Sequence, residues 1–395
     1  MFSRAFVTLW LAVFVGNAGI GMVSPLLPVF GAELGATGAW LGLTFSGFAL
    51  TQIPATPLVG RLSDRFERKT FMVAGLCAYG AAALGYTFAT TFGEIIAFRA
   101  LSGLGTALLF PVALAYVGDI TPTGREGFYM GTFSMAQILS FGTGPLLGGI
   151  VLDASGIDGT FLTMFATTAF AAMAVTALLP RAPRRHYPRP ASGSPLAHIL
   201  RSPPVRASVA YYGVWGVGMG AAFAFMAIFL QEKLDASGLE IGLVLSARAF
   251  LGGLLQSPFG RLADRYSRTL MVVGGSTAIG ILTLGVAQAE SYVVILLLFG
   301  LVGVFDSLAF PAATAMAVDV GRRLGMGFTM SVLQVAMSAG IIVGSLTSGV
   351  IGDALGIRSV FVFAGAVALG GAVVVAWAGT RPSPVPVAQA DTSPD

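Results

Sequence analysis

The stretch "GRLSDRFERK" (Gly60–Lys69) decides the fold, because "GRLADRYSRT" (Gly260–Thr269) repeats it at an offset of 200 residues (260 − 60). Both stretches concentrate charge in a chain that is otherwise nearly free of it. Of the 395 residues, 55% are hydrophobic and only 10% are charged, and the mean hydropathy is +0.84. Soluble domains carry about 25% charged residues, so this composition excludes a soluble fold and indicates a membrane protein.

Long uncharged stretches predict the membrane spans, since a helix needs about 20 apolar residues to cross the hydrocarbon core. Nine stretches contain no Asp, Glu, Lys or Arg: Ala5–Ala32, Leu34–Gly60, Thr70–Gly93, Gly127–Leu152, Gly159–Pro180, Ala207–Gln231, Leu270–Ala289, Leu324–Gly352 and Ser359–Thr380. Three more, Ile95–Gly118, Ile241–Ala263 and Ser291–Val318, carry Arg99, Arg248 and Asp306 within them. Together they predict an all-α membrane protein with twelve transmembrane helices, numbered here as spans 1 to 12. The first stretch is too long for the apolar region of a signal peptide and is therefore span 1.

The basic residues predict the orientation of these spans. With an even number of spans both termini lie on one side. All 22 Lys and Arg residues lie on that side except Lys233, Arg358 and the two within spans, Arg99 and Arg248. Loops rich in Lys and Arg stay in the cytoplasm, so we expect a cell-membrane protein with both termini cytoplasmic. The pI of 9.4 then reflects membrane topology, and no nucleic-acid partner is expected.

The composition changes after Pro180, where a segment rich in Pro, Arg and Ser contains the only two histidines. We predict an N-terminal six-helix half over residues 1–180, a cytoplasmic linker over 181–206, a C-terminal six-helix half over 207–381 and a disordered tail over 382–395. The offset of 200 residues also relates Gly42 to Gly242, Phe110–Pro111 to Phe310–Pro311, Asp119 to Asp319, and Asp153 to Asp353. Two six-helix halves related by a pseudo-twofold axis are the architecture of a transporter that rocks around a central site.

The two charged stretches fall in short cytoplasmic loops after spans 2 and 8 and predict a cytoplasmic gate. Glycine allows close backbone approach, and an aspartate at the membrane boundary favours a neighbouring helix N-terminus. The nearby arginines can pair with acids at the cytoplasmic ends of spans 4 and 10. The predicted gate residues are Gly60, Asp64, Arg65, Arg68, Lys69, Asp119, Gly260, Asp264, Arg265, Arg268 and Asp319. The alternative is a pair of basic loops that only fix topology.

These loops resemble the motif G-x-[LV]-[AS]-D-R-x-x-R-[KR] of the major facilitator superfamily, and the second copy departs from it at Thr269. Three further motifs resemble the twelve-helix drug–proton antiporter branch: "GIGMVSPLLP" (Gly19–Pro28), "RALSGLG" (Arg99–Gly105) and "GTGPLLGG" in span 5. The motif residues of the last are Gly144, Pro145, Gly148 and Gly149, which make a kinked, smooth helix face against which the opposite half can slide. Upstream it departs from the family, since Gly131 is followed nine residues later by Ser140. The resemblance covers the whole chain and implies proton-coupled efflux of small hydrophobic compounds or drugs by rocking alternating access.

Charges inside the spans are the candidates for proton coupling, because each is costly in a membrane unless it is paired or hydrated. We predict that Asp306, near the middle of span 10, carries the coupling proton with Arg248 of span 8 as its partner. The alternative is a static ion pair within the C-terminal half. For Arg99 the resemblance implies assistance to proton transfer; it could instead hydrogen-bond neighbouring groups or attract an anionic substrate. Span 1 has Asn17 where drug antiporters often carry a carboxylate.

Polar and aromatic residues within the spans predict the substrate cavity. The candidates are Asn17, Gln52, Gln137, Gln256 and Gln334, with Phe110, Phe223 and Phe310 as apolar contacts. Each glutamine could instead form a hydrogen bond between helices. The predicted partners are a small-molecule substrate, the proton and the lipid bilayer; we expect a monomer without a cofactor or a metal.

A membrane enzyme is the alternative from another functional class. Both histidines lie in the linker, Cys77 is the only cysteine, and the sequence has no G-x-x-x-x-G-K-[ST] loop for ATP, so a secondary transporter is favoured. The substrate stays open: two arginines within spans against one carboxylate also suit an organic anion or a neutral, sugar-like metabolite, moved in either direction.

Overall fold

The computed structural model describes residues 3–63, 65–121, 126–180, 202–263, 265–324 and 326–380. Across these ranges the chain is helical apart from short turns, with no strand. Ten segments within them are long and apolar enough to cross a membrane. One of the ten, Met135–Leu178, is 44 residues long and is broken at Gly156, so it contains two spans. Gly38–Ser63 supplies the remaining span: its 26 residues are long enough, although Gln52 and two prolines lower its hydropathy.

The spans follow one another in chain order. Span 1 consists of Arg4–Val23 and Leu27–Glu33, span 2 is Gly38–Ser63, span 3 is Arg68–Phe88, and span 4 is Phe92–Ile120. Spans 5 and 6 share Glu126–Leu178. Span 7 consists of Pro203–Gly218, a π-helical turn at Met219–Phe223 and Ala224–Leu234. Spans 8 to 12 are Gly238–Ala263, Arg268–Gln288, Tyr292–Leu324, Met326–Leu355 and Ile357–Thr380. The prediction of an all-α fold with twelve membrane helices is confirmed.

Local sequence explains where several spans begin and end. Span 4 begins with a capping box, in which the Thr91 hydroxyl accepts the Glu94 N–H and the Glu94 carboxylate accepts the Thr91 N–H. Such caps satisfy backbone donors that a helix leaves unpaired. Spans 5 and 11 end at Gly156 (φ 71°) and Gly356 (φ 84°), in a backbone region that side chains disfavour. The 200-residue offset relates these two turns, so the repeat extends to backbone conformation.

The two halves meet along two seams, span 2 against span 11 and span 5 against span 8. We call the face that holds the start of span 1 and the end of span 12 the terminal face, and the other the opposite face. Near the opposite face both seams are closed by bare backbone: Gly149 lies against the carbonyl of Gly238, and Gly349 against the carbonyl of Gly38, with no room for a Cβ atom. The halves are therefore sealed together on this side.

Toward the terminal face the seams differ. A Cβ atom placed on Gly60 or on Gly260 would meet no atom of the described residues within 4 Å. This corrects, for the present conformation, the expectation that these two glycines permit close backbone contact. The halves are thus closed at the opposite face and part toward the terminal face.

The predicted linker (residues 181–206) lies outside the described residues except for residues 202–206, and the predicted tail (382–395) lies wholly outside them. Span 7 already begins at Pro203, which is a favoured residue in the first turn of a helix. The second half therefore starts a few residues earlier than residue 207.

Candidate functional site

A cavity of about 460 Å³ lies between the two halves. This volume suits a small organic molecule, since ligand pockets are about 300–1,000 Å³. It reaches from Pro25 and Pro145 on the side of the opposite face to Thr56 and Leu114 on the side of the terminal face. Most of its wall comes from spans 1 to 5 of the N-terminal half, and spans 7 and 11 complete it.

The structure places most of the predicted substrate residues on this wall. Lining residues include Asn17, Gln52, Phe110, Gln137, Phe223 and Gln334. Gln256 and Phe310 are not among the described lining residues, which corrects their placement. Phe310 packs behind the wall, with its ring centre 5.5 Å from that of Trp215. Gln137 and Gln334 occupy comparable places in spans 5 and 11, as their positions in the sequence suggested.

Arg99 lies in the N-terminal wall, and its side chain is held by span 2. It is only 4% exposed, and its Nε donates to the carbonyl oxygen of Phe45 at 2.8 Å. The guanidinium carbon lies 4.9 Å from the centre of the Phe48 ring and 5.7 Å from that of Phe45. Within the described part of the chain no carboxylate forms an ion pair with Arg99. Its charge is therefore offset by a carbonyl dipole, by two aromatic faces and by the neutral hydroxyl of Tyr86, which also interacts with the guanidinium.

Other polar groups of the N-terminal wall are mostly satisfied by one another. Asn17 Nδ2 donates to Ser140 Oγ at 2.6 Å, joining span 1 to span 5. Tyr79 and Thr106 share a hydrogen bond of 2.6 Å between spans 3 and 4. Gln52 differs, because its Oε1 atom is buried and no described group donates to it. An unpaired buried acceptor is costly, so a ligand donor that reaches this oxygen would remove that cost.

Arg248 and Asp306 form the predicted ion pair in the C-terminal half. Nε and a terminal nitrogen of Arg248 lie 2.9 Å and 2.8 Å from Asp306 Oδ2. The side chains are 9% and 15% exposed, and the guanidinium also lies 5.1 Å from the centre of the Phe299 ring. Spans 8 and 10 are therefore neighbours joined by a buried, charge-assisted hydrogen bond at mid-membrane depth.

Trp215 connects this ion pair with the cavity. Its indole Nε1 donates to Asp306 Oδ1 at 3.1 Å, and the same side chain lines the large cavity. Behind it a small pocket of about 30 Å³ borders Asp306, Arg248 and Tyr211. The π-helical turn at Met219–Phe223 follows one helical turn later, and Met219 and Phe223 also line the cavity. One side chain thus contacts both the space for a ligand and the membrane carboxylate.

The predicted gate residues form contacts within each half. Arg68 Nε lies 3.1 Å from Asp119 Oδ2, and Lys69 Nζ donates to the Leu179 carbonyl at 2.8 Å, so spans 3, 4 and 6 are tied together. In the other half Arg268 donates to the Ala263 carbonyl at 3.3 Å and to the Ala315 carbonyl at 3.2 Å. The predicted pairing of a loop arginine with Asp119 is therefore present, and these described contacts lie within each half. A latch between the halves stays a prediction.

Other predicted gate residues do not take part in the contacts described above. Arg65 and Arg265 are exposed on the terminal face. Asp64, Asp264 and the side chain of Asp319 lie outside the described residues.

The glycine motif of span 5 serves two different surfaces. Gly144 and Gly148 pack on span 1, where an added Cβ would lie 2.8 Å from the Gly21 Cα and 2.6 Å from the Met22 carbonyl oxygen. Pro145 and Gly149 instead face span 8 of the other half; a Cβ on Gly242 would lie 2.5 Å from the Pro145 carbonyl oxygen. Half of the motif therefore lies on the surface between the halves, as predicted, and half lies within the N-terminal half.

Asp153 is a functional candidate that the sequence marks only as a position of the 200-residue repeat. Its two carboxylate oxygens accept the backbone N–H groups of Gly238 (2.7 Å) and Leu239 (2.8 Å), across the seam between the halves. Its counterpart Asp353 has an oxygen 3.5 Å from the position of a Cβ on Gly38, at the start of span 2. A carboxylate at a helix N-terminus is favoured by the helix dipole, so Asp153 holds the opposite face closed.

Comparison with known proteins decides the family. The sequence profile described as "Major Facilitator Superfamily" matches residues 9–235 and 213–394. The chain belongs to the Major Facilitator Superfamily. It is therefore a multi-pass membrane transporter and not an enzyme, as the sequence predicted.

Similar proteins of this superfamily extend over nearly the whole chain. Multidrug resistance protein 1 of Bacillus subtilis is 26% identical over 378 residues, covering 92% of this chain and 94% of its own. Quinolone resistance protein NorA of Staphylococcus aureus is 23% identical over 384 residues, covering 94% and 96%. A solved D-xylose-proton symporter matches with a TM-score of 0.76 at 14% identity, covering 94% of this chain and 96% of its own. A bacterial homologue of the human lysosomal transporter Spinster matches with a TM-score of 0.74 at 15% identity, covering 95% of each chain. These structures share the fold.

Proposed function

We propose that this major facilitator transporter exports small hydrophobic, drug-like compounds across the cell membrane in exchange for protons. The observation that carries the proposal is the position of Trp215, which lines the cavity and donates to Asp306. A ligand that displaces the indole changes the hydrogen bonding of the carboxylate, and a proton on Asp306 weakens its attraction for Arg248. Cargo and proton thereby act on one another through a single side chain.

The character of the cavity and the names of the relatives support this substrate class. Phe45, Phe48, Phe110, Phe141 and Phe223 contribute aromatic rings to a mostly apolar lining. Two relatives that match over nearly the whole chain are named a multidrug resistance protein and a quinolone resistance protein. An apolar wall with a few polar groups is the usual construction of a site for hydrophobic small molecules.

The terminal face is proposed to be cytoplasmic, because it holds most of the arginines and lysines. The described conformation is then closed on the outside, and its cavity extends toward the cytoplasm, the compartment from which an exporter collects its cargo. When the halves rock, the loops at Gly60 and Gly260 are expected to approach the other half and to form the cytoplasmic gate.

Transport by the protein in everted membrane vesicles tests the proposal. Three dansyl probes share one fluorophore: dansylcadaverine is a cation, dansylglycinamide is neutral and dansylglycine is an anion at pH 7. We expect uptake of at least one probe when a pH gradient is imposed, and loss of that uptake in Asp306→Asn at equal expression. The matched control is Glu290→Gln, since the Glu290 side chain is 81% exposed. Gradient-driven uptake by Asp306→Asn at the wild-type rate would contradict the coupling role, and no uptake of any probe by the wild type would contradict the function.

A further inference from the structure

The cavity carries one kind of charge. Arg99 is the only charged residue among the described residues that line it. The carboxylate in the neighbouring C-terminal half, Asp306, lies behind Trp215, with Oδ2 bound by Arg248 and Oδ1 by the indole. An organic cation in the cavity therefore meets a positive potential without a free acid, whereas an anion meets an uncompensated guanidinium.

The surroundings of Arg99 favour the binding of a ligand carboxylate to its guanidinium. Burial removes most of the water that would stabilise a guanidinium, and Arg99 is 4% exposed. Its Nε donates to the Phe45 carbonyl, its guanidinium carbon lies over the Phe48 ring, and the Tyr86 hydroxyl also interacts with the guanidinium. A carboxylate that reaches the remaining guanidinium N–H groups supplies the missing counter-charge in a medium where charge-assisted hydrogen bonds are strong.

A second polar contact lies on the same helix as the aromatic rings. Phe45, Phe48 and Gln52 are spaced by three and four residues in span 2, so they share one face, and all three line the cavity. Gln52 Oε1 has no donor among the described groups. A ligand with an N–H or O–H group near its ring system satisfies this oxygen while its ring packs on the phenylalanines.

We propose that Arg99 and Gln52 form an anion-selective subsite, and that the cargo of this transporter is an aromatic carboxylate with a hydrogen-bond donor rather than an organic cation. This inference rests on the proposed function, because it names the chemical class of the exported compound. The carboxylate binds the Arg99 guanidinium, the donor binds Gln52 Oε1, and the ring lies among Phe45, Phe48 and Phe223.

Equilibrium binding of the three dansyl probes to the purified full-length protein tests this subsite. Dansyl fluorescence rises in apolar surroundings and reports occupancy without transport. We expect dansylglycine to bind at least about tenfold more tightly than dansylglycinamide or dansylcadaverine, as one charge-assisted hydrogen bond provides. Arg99→Gln should weaken dansylglycine binding by about tenfold or more and change dansylglycinamide binding less than about twofold. Arg99→Lys should recover part of the loss, because it restores the charge without the planar geometry.

The matched control is Lys233→Gln, an exposed basic residue outside the cavity, which should leave all three affinities unchanged. Equal affinities for the three probes, tighter binding of dansylcadaverine, or an equal loss for all probes in Arg99→Gln would overturn the subsite. If Arg99→Gln does not fold, the subsite is tested by the ratios of the Kd values of the three probes, measured on the wild type and on Arg99→Lys.

Vesicle uptake separates this inference from the proposed function. Gradient-driven uptake of dansylcadaverine in preference to dansylglycine overturns the anion subsite and leaves proton-coupled efflux intact. Tight binding of dansylglycine without gradient-driven uptake of any probe overturns the proposed function and leaves the subsite intact.

Discussion

Each half of the molecule buries one arginine against an aromatic ring, but among the described residues only one of these two arginines forms an ion pair with a carboxylate. The 200-residue offset relates Arg99 to Phe299 and Arg248 to Phe48, so the halves exchange the positions of arginine and phenylalanine. Arg99 of span 4 lies 4.9 Å from the ring centre of Phe48, and Arg248 of span 8 lies 5.1 Å from that of Phe299. The position equivalent to Asp306 in the N-terminal half holds Thr106, which is neutral.

This difference separates two tasks that a transporter must perform. In the C-terminal half the charges cancel, and Trp215 stands between the pair and the cavity. In the N-terminal half the single charge is part of the cavity wall. The repeat thus preserves an arginine–aromatic contact in both halves. Under the proposed function, the half that keeps an acid would carry the proton and the half without one would bind the cargo.

Stability gives the largest test of the comparison. Arg248→Gln leaves Asp306 buried without its partner and should lower the free energy of unfolding by about 3 kcal/mol, and adding Asp306→Asn should restore much of it. Arg99→Gln removes a charge that has no described acid beside it, so it should lower the free energy of unfolding by less than about 1 kcal/mol. Circular dichroism during SDS titration in mixed micelles measures both. An equal loss for Arg99→Gln would mean that the two arginines have equivalent surroundings, and the comparison would fail.

The indole contact gives a smaller effect that sharpens the role of the C-terminal pair. Trp215→Phe keeps an aromatic ring but removes the N–H group that donates to Asp306. Loss of this donor breaks the hydrogen bond that joins the cavity wall to the carboxylate. Gradient-driven vesicle uptake by Trp215→Phe should therefore fall several-fold at equal expression. Phe223→Leu, which changes the cavity wall without touching Asp306, is the control; an equal fall in both variants would remove Trp215 from the coupling path.

Asp153 and its repeat counterpart Asp353, at the opposite face, give the smallest expected effect. They test a region in which the two halves resemble each other. Asp153→Asn weakens the contact with Gly238 and Leu239 and should destabilise the closed opposite face by about 1 kcal/mol. Because Cys77 is the only cysteine, Ser24→Cys in a Cys77→Ala background reports access to the cavity from outside with a membrane-impermeant maleimide. Labelling should rise several-fold in Asp153→Asn and less in Asp353→Asn.

Asp158→Asn, an exposed acid at the same face, is the control for that experiment and should label like the parent. Equal labelling of Asp153→Asn and Asp158→Asn would show that the cap does not hold this face closed.

The sequence predicts the elements of this molecule well, because a membrane imposes simple rules on them. A helix that crosses it must be long and uncharged, and loops with arginine stay on one side. Charge in a span needs a partner, so Arg248 and Asp306 can be paired from their positions in the sequence alone. Gln137 and Gln334 can likewise be placed at comparable depths from their positions in spans 5 and 11, although 197 residues (334 − 137) rather than 200 separate them.

The sequence is less informative about which side of a helix faces what. In a membrane both the lipid-facing and the packed sides of a helix are apolar, so the pattern that orients a soluble helix is weak. Gln256 and Phe310 therefore could not be excluded from the cavity, and Trp215 gave no signal beyond its presence in span 7. The contacts of Gly60 and Gly260 depend on how the halves are tilted, which one sequence shared by several conformations does not specify.

The π-helical turn at Met219–Phe223 has a consequence for the tryptophan that precedes it. A π turn holds one residue more than an α turn, and one residue corresponds to about 100° of rotation around a helix axis. If the surplus residue moved toward the start of span 7, the side chains that it passed would change register, and those after it would not. The indole of Trp215 would then swing off Asp306 while Phe223 kept its place, a ratchet that needs no bending of the span.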